Sequence, residues 1–282
     1  MTEQNVNRSE NVVQVAGNVE INNRYGLAVQ EVKELTQIFM RENFPVLRAE
    51  AIAAAQANVQ QFLREFEEKL AQNIGRIDPN RFKDPDIQSS LNDAVLETAK
   101  KGSRSNSDLL ADLVIERLNT GTNDYVSLVV SEAIKVVPRL TPEQIGFLTL
   151  ALFLTSTKVT SATSLKDIVP LASAVLQASQ HSFGLSDSQK SHLEFSGCAS
   201  ILQLLSNSAY AIWKANYDFL KDIPDEELKK NIEQDFPVLH QLAKAFDDNK
   251  LGQISLTSVG KVIGLANLSK RVHGLEYANW LN

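Results

Sequence analysis

The chain has one cysteine, Cys198, among 282 residues. A single thiol excludes an internal disulfide and any multi-cysteine zinc or iron–sulfur site. Glycine and proline are scarce as well, at 12 and 8 residues, too few for a turn-dense all-β protein. Long apolar runs are missing: the longest, Ile145 to Leu154, lies between Glu143 and Lys158 and falls well short of the ~20 residues a spanning helix needs. It reads as a buried core helix, and no membrane partner is expected. Basic charge is also lacking. Lys and Arg number 28 against 34 Asp and Glu, a net charge of −6, which disfavours nonspecific nucleic-acid binding because that needs a dense basic face. The opening Met1-Thr2-Glu3-Gln4-Asn5-Val6-Asn7 has neither the basic stretch nor the apolar core of a secretory signal. With the lone cysteine, this points to the cytoplasm.

What is present begins with an unusual N-terminus. Residues 1–24 hold six of the chain's 21 asparagines, and Val13, Val15, Val19 and Ile21 alternate with polar residues about Ala16-Gly17-Asn18. Alternation on both sides of a Gly-Asn turn predicts a short β-hairpin. A lone two-stranded hairpin is marginal in water, so these strands need a partner, either the protein's own helices or other copies of the segment. Val13, Val15, Gly17, Asn18, Val19 and Ile21 are therefore the candidate oligomerisation residues.

From Gly26 the periodicity becomes helical. Val32, Leu35, Ile38 and Phe39 form one apolar face up to Phe44-Pro45, and Pro45 suits the first turn of a second helix. That helix is expected to run to about Ile74 along Ile52, Ala55, Val59, Phe62, Phe66 and Leu70, a seam with three- and four-residue spacing. Glu65 and Lys69 are placed for an i,i+4 pair on its outer face. Lys101-Gly102-Ser103-Arg104-Ser105-Asn106-Ser107 is the most linker-like stretch. Helices are expected near 109–118, 125–137, 142–154, 165–178, 189–206 and 209–220, with Thr141 capping and Pro142 opening the third. The end reads as helices 225–235 and 237–247, a strand carrying Ile254 and Leu256, and a last helix 259–268 capped by Thr257 or Ser258. This order, with Leu256-Thr257-x-x-Gly260, is similar to the final part of winged-helix domains, in which the glycine lets backbones pack closely. The fold expected is mainly α, a multi-helix bundle divided into a β-hairpin arm (1–25), a helical body (26–222) and a winged-helix-like C-terminal module (223–282).

Catalytic spacings mostly fail. Gly260-Lys261 is followed by Val262 rather than Ser or Thr, so there is no phosphate loop. Gly184-Leu185-Ser186-Asp187-Ser188 lacks the final glycine of a nucleophile elbow. His192-Leu193-Glu194 has no cysteine pair to hold zinc. Asp247 to Ile254 has the flavour of an EF-hand, but Leu251 fills a ligand position and Ser258 stands where the bidentate glutamate belongs. His181, His192 and Cys198 make one local cluster. On a single helix His192 and Cys198 would lean to opposite faces, and the small run Ser196-Gly197-Cys198-Ala199-Ser200 reads more simply as a close-packing surface than as a nucleophile site. Lys261, Lys270, Arg271 and His273 could contact phosphates, but acids at 222–235 surround the same module. No metal and no cofactor is expected.

Several stretches together carry a family resemblance: Asn11-Val12-Val13-Gln14-Val15-Ala16-Gly17-Asn18-Val19-Glu20-Ile21 ahead of Tyr25-Gly26-Leu27, then Leu140-Thr141-Pro142-Glu143-Gln144, His192-Leu193-Glu194-Phe195-Ser196-Gly197-Cys198, and Leu256 to Gly260 with Ile263-Gly264-Leu265-Ala266-Asn267. The chain resembles a largely uncharacterised bacterial family with an Asn-rich β N-terminus and a helical body. Similar segments precede effector or sensor regions in bacterial conflict proteins, so the resemblance implies self-association and a part in antiphage defence. The function expected is a self-assembling cytoplasmic scaffold or sensor whose partner is itself, with another protein as a further candidate. The alternatives are an enzyme with a non-local site near His192 and Cys198, or a winged-helix nucleic-acid-binding protein.

Overall fold

A computed structural model describes residues 29–73, 75–119, 124–180, 182–202 and 208–281. The chain divides into two units, the first ending at Ile52 and the second running from Ala53 to the C-terminus. The expected hairpin, with Val13, Val15, Gly17, Asn18, Val19 and Ile21, lies outside the described residues, as does His181.

Helix dominates. Helix α1 covers Val29–Asn73, where two helices were expected; Pro45 lies inside it rather than at a second start. A mid-helix proline removes one backbone hydrogen bond but does not by itself stop a helix whose other residues favour it. Helices α2 (Pro85–Lys101), α3 (Ser107–Asn119), α4 (Asp124–Val136), α5 (Pro142–Ser156) and α6 (Leu165–Ser179) follow, then α7 (Asp187–Phe195), strand β1 (Ala199–Ile201), α8 (Ala209–Asn216), α9 (Asp225–Asp235), α10 (Pro237–Asp248), strand β2 (Ile254–Leu256), α11 (Ser258–Ser269) and α12 (Ala278–Leu281).

The helix starts follow local chemistry. Asp84 caps α2 by accepting from the Asp86 N–H at 3.0 Å, with Pro85 opening the helix. Thr141 and Gln144 form a reciprocal capping box at α5, which satisfies two amides that the first turn leaves unpaired. Thr257 caps α11 through the Gly260 N–H at 3.2 Å.

The core is built around α5. Every residue from Gln144 to Leu154 is buried, so the sequence's longest apolar run is a helix covered on all sides, with α6 and α11 packed against it. Gly264 of α11 sits so close to α5 that a Cβ there would meet the Leu148 carbonyl oxygen at 2.8 Å. Beside this contact Asn267 donates to Thr149 Oγ1 (2.9 Å) and to the Ala178 carbonyl (3.2 Å), tying three helices together.

Two expectations are corrected here, and the pairing of the short C-terminal strand is added to them. The helix expected over 189–206 stops at Phe195: Gly197 takes φ +72°, and the chain turns into β1. The linker-like stretch 101–107 is packed rather than loose. Ser105 is fully buried, and Asn106, at φ 57°, donates from Nδ2 to the carbonyls of Val137 and Leu140, each at 3.0 Å. Asparagine tolerates this left-handed conformation better than most residues, and its amide closes the turn. Finally, β2 pairs antiparallel with β1, Ser255 opposite Ser200. The helix–helix–strand–turn–helix order of 225–269 is present, with its strand paired to β1 from outside residues 223–282.

Candidate functional site

His192 and Cys198 belong to different elements. Cys198 follows α7, with its thiol fully buried and Sγ 3.9 Å from the Ser196 carbonyl oxygen. Its backbone carbonyl accepts from the Thr257 N–H at 3.1 Å and lies under Gly260, where a Cβ would come within 2.0 Å of that oxygen. The small-residue run is thus the bed on which α11 rests. His192 is held elsewhere: the Gln144 amide donates to its Nδ1 at 3.1 Å and to the Gln189 carbonyl at 2.8 Å. No hydrogen bond joins His192 to Cys198 among the described residues. Burial pushes the Cys198 thiol up to about 12, the opposite of the lowered value that nucleophilic cysteines need. We expect a chromogenic disulfide reagent to leave Cys198 unlabelled in the native protein and to label it fully once the chain is unfolded. Prompt labelling without denaturant would contradict this arrangement.

The strongest concentration of perturbed titratable groups lies on α3. Asp108, Asp112, Glu116 and Asn119 follow one another at helical spacing and line a cleft of about 450 Å³ with Lys69 and Tyr277. Lys69 Nζ lies 2.8 Å from Asp108 Oδ1 and 2.6 Å from Asp112 Oδ1, and Lys270 pairs with the other oxygen of Asp108. The i,i+4 pair expected between Glu65 and Lys69 is not formed; Glu65 Oε1 instead accepts from Gln61 Nε2 at 3.0 Å. Burial works against the Lys69 ammonium, but its two carboxylates together raise it. Burial likewise opposes the Asp108 charge, yet Lys270 and Lys69 prevail and lower that carboxyl. At Asp112 burial wins over Lys69 and raises the group. Its Oδ2 and Asn119 Oδ1 are buried without a hydrogen-bond partner.

Glu116 is the outlier of the group. Burial alone pushes its carboxyl up to about 7, so it exchanges a proton near neutrality. The Tyr277 phenol, against Ser269 and near Glu116, is held well above its usual range, chiefly by burial. Shifted groups gathered in one cleft mark a site able to hold and release protons. Sequence reading missed it because Glu116 stands among ordinary helix residues, while the surface that buries it comes from the far end of the chain. Of the four basic residues singled out near the C-terminus, Lys270 is engaged by Asp108, and Lys261 donates to the Trp280 carbonyl at 3.4 Å.

Among the described residues no group of three or more His, Cys, Asp or Glu side chains is placed to hold a metal ion, and no helix is long and apolar enough to cross a membrane. The end of α10 uses its EF-hand-like residues structurally: Asn249 Nδ2 donates to the Ala245 carbonyl at 2.8 Å. Neither the curated proteins nor the solved structures include a significant match to this chain. The model of one protein family, whose description names no activity, matches residues 26–227 and 218–281. The matched segments span most of the described body, and the chain belongs to this uncharacterised family.

Proposed function

We propose that the protein is a self-assembling scaffold or sensor of the bacterial cytoplasm, acting in antiphage defence, with its N-terminal segment as the assembly element. The observation that carries this reading is the bare stretch of α1 between Arg48 and Ala57. Ala49, Ala51, Ala53, Ala54 and Ala57 are exposed there, and Ile52 is 49% exposed, whereas Phe62 and Phe66 on the same helix are buried. A smooth alanine surface around an uncovered isoleucine permits close helix approach, and exposed apolar strips mark association sites. Arg48 and Glu50, then Arg64 and Glu67, put both signs of charge along the helix, which suits pairing with an identical helix. The strands expected at Val13, Val15, Val19 and Ile21, about Gly17-Asn18, add backbone edges that need partners. A second copy satisfies both requirements with one symmetric contact. The enzyme reading at His192 and Cys198 has no comparable support, because the thiol is sealed and the imidazole is bound to Gln144.

Light scattering on the full chain, on a version lacking residues 1–24 and on Ile52→Glu tests this. The full chain is expected to be oligomeric and both variants smaller. If the full chain is a monomer at micromolar concentration, the reading fails. If only the truncation dissociates, the arm alone carries assembly.

A further inference from the structure

A second cleft, of about 370 Å³, opens where the N-terminus of α2 meets α4, lined by Arg81, Arg117, Ser127, Leu128, Ser131 and Lys135, with Asp84, Asp86 and Glu132 also on its walls. Arg117 on its floor is 4% exposed. Its guanidinium donates from Nε to Ser131 Oγ at 3.1 Å and from Nη1 to Ser127 Oγ at 3.4 Å, and Nη2 pairs with Asp86. Ser131 Oγ in turn lies 3.2 Å from Ser90 Oγ, so the arginine and its hydroxyls are held in place before anything binds. Arg81 is different: its Nη1 lies 3.8 Å from Asp84 Oδ2, while Nε and Nη2 are buried with no partner. Two buried donors without acceptors carry their full desolvation cost, and a guanidinium fork is matched to the geometry of a phosphate or carboxylate group.

We propose that this cleft binds the phosphate group of a small phosphomonoester. The charges support that assignment. Three cations face three carboxylates, but Asp84 is fixed as the α2 cap and Glu132 lies 2.9 Å from Lys135. Asp86, at 61%, is the most exposed of the three carboxylates, and its swing into solvent opens the position between Arg117 and Arg81 to an external anion. The dipole of α2 adds to the pull on an anion at that end. The volume lies within the roughly 300–1,000 Å³ range of small-molecule sites and exceeds what a bare phosphate fills. Leu128, 62% exposed at the rim, offers apolar contact to the organic part. Asp86 thereby acts as an internal stand-in for the phosphate, occupying Arg117 until the ligand displaces it.

Titration calorimetry with the full chain at ~0.15 M salt, using inorganic phosphate, adenosine 5′-monophosphate and adenosine as probes, tests the proposal. Both phosphate-bearing probes are expected to bind saturably and adenosine not at all. Tighter binding of the monophosphate indicates the ester as the natural source, and equal binding indicates free phosphate. Arg81→Gln is expected to weaken binding at least tenfold without loss of thermal stability, since it removes donors that are unpaired in the folded chain. Asp86→Asn is expected to strengthen binding severalfold by removing the competing carboxylate. Absence of saturation by either phosphate-bearing probe up to about 10 mM, where Kd values correspond to only ~3 kcal/mol, overturns the proposal. So does binding that Arg81→Gln leaves unchanged, or adenosine binding as tightly as its monophosphate.

Discussion

Gly260→Ala is expected to cost about 3 kcal/mol or more of folding stability, which for a domain of this size lowers the thermal midpoint by roughly 10 °C. The added Cβ would stand 2.0 Å from the Cys198 carbonyl oxygen and 2.9 Å from its carbonyl carbon. Both are backbone atoms and cannot swing aside as a flexible side chain can. They are also committed, because the same oxygen accepts the Thr257 N–H at 3.1 Å and Thr257 Oγ1 donates to the Gly197 carbonyl at 2.6 Å. Relief therefore requires α11 to lift off β1, which disturbs the β1–β2 ladder and the Gly264–Leu148 approach together. The gain in helix propensity from glycine to alanine, about 1 kcal/mol, offsets only part of this. Gly184→Ala is the control: nothing lies within 4 Å of the added atom, and the change is expected to be neutral or slightly stabilising. Thermal melts of the two variants decide the matter; equal midpoints would show that α11 is not seated as described.

The same glycine shows how far the sequence could be read. Its role as a close-packing position followed from Leu256-Thr257-x-x-Gly260, and the cap residues Thr141 and Thr257 were legible because capping is chemistry within three residues of chain. What Gly260 packs against was not legible. Cys198, which receives it, leads into a strand only three residues long and follows a helix whose periodicity gives no warning of a stop; Gly197 was the only local sign. The buried turn at 102–106 misled for the same reason. Ser, Gly and Asn are the residues of linkers, and only the carbonyls of Val137 and Leu140 reveal that Asn106 is a fixed corner. Lys69 was assigned to its nearest acid along the helix, Glu65, but Asp108 and Asp112 arrive from α3 with better geometry. Arg117 and Glu116 stand side by side in one helix, and sequence says nothing of their opposite surroundings: one arginine bound to serines and Asp86, one carboxyl with no charge to meet it.

Glu116→Gln is expected to make the protein more stable at pH 8 by about 2–3 kcal/mol, and to leave it unchanged near pH 4. The carboxyl is raised from 4.5 to about 7 in the folded chain by burial, so folding favours its protonated form. The stability associated with that neutral form is complete below the unfolded value of 4.5 and is lost progressively as pH rises to about 7. Beyond that the penalty is constant, because the group is ionised whether the chain is folded or not. Glutamine reproduces the neutral side chain at every pH, so the difference between variant and wild type isolates Glu116 from Asp108, Asp112 and Lys69, which titrate in both. In thermal midpoint the difference amounts to roughly 5–10 °C at pH 8, and it should vanish on acidification with an apparent midpoint between 4.5 and 7. A difference that does not change with pH would mean that the carboxyl is not buried as described. If the difference is found, the α3 cleft holds a proton that is released near neutrality, and any ligand or partner copy that reaches Glu116 will bind with a pH dependence set by that carboxyl.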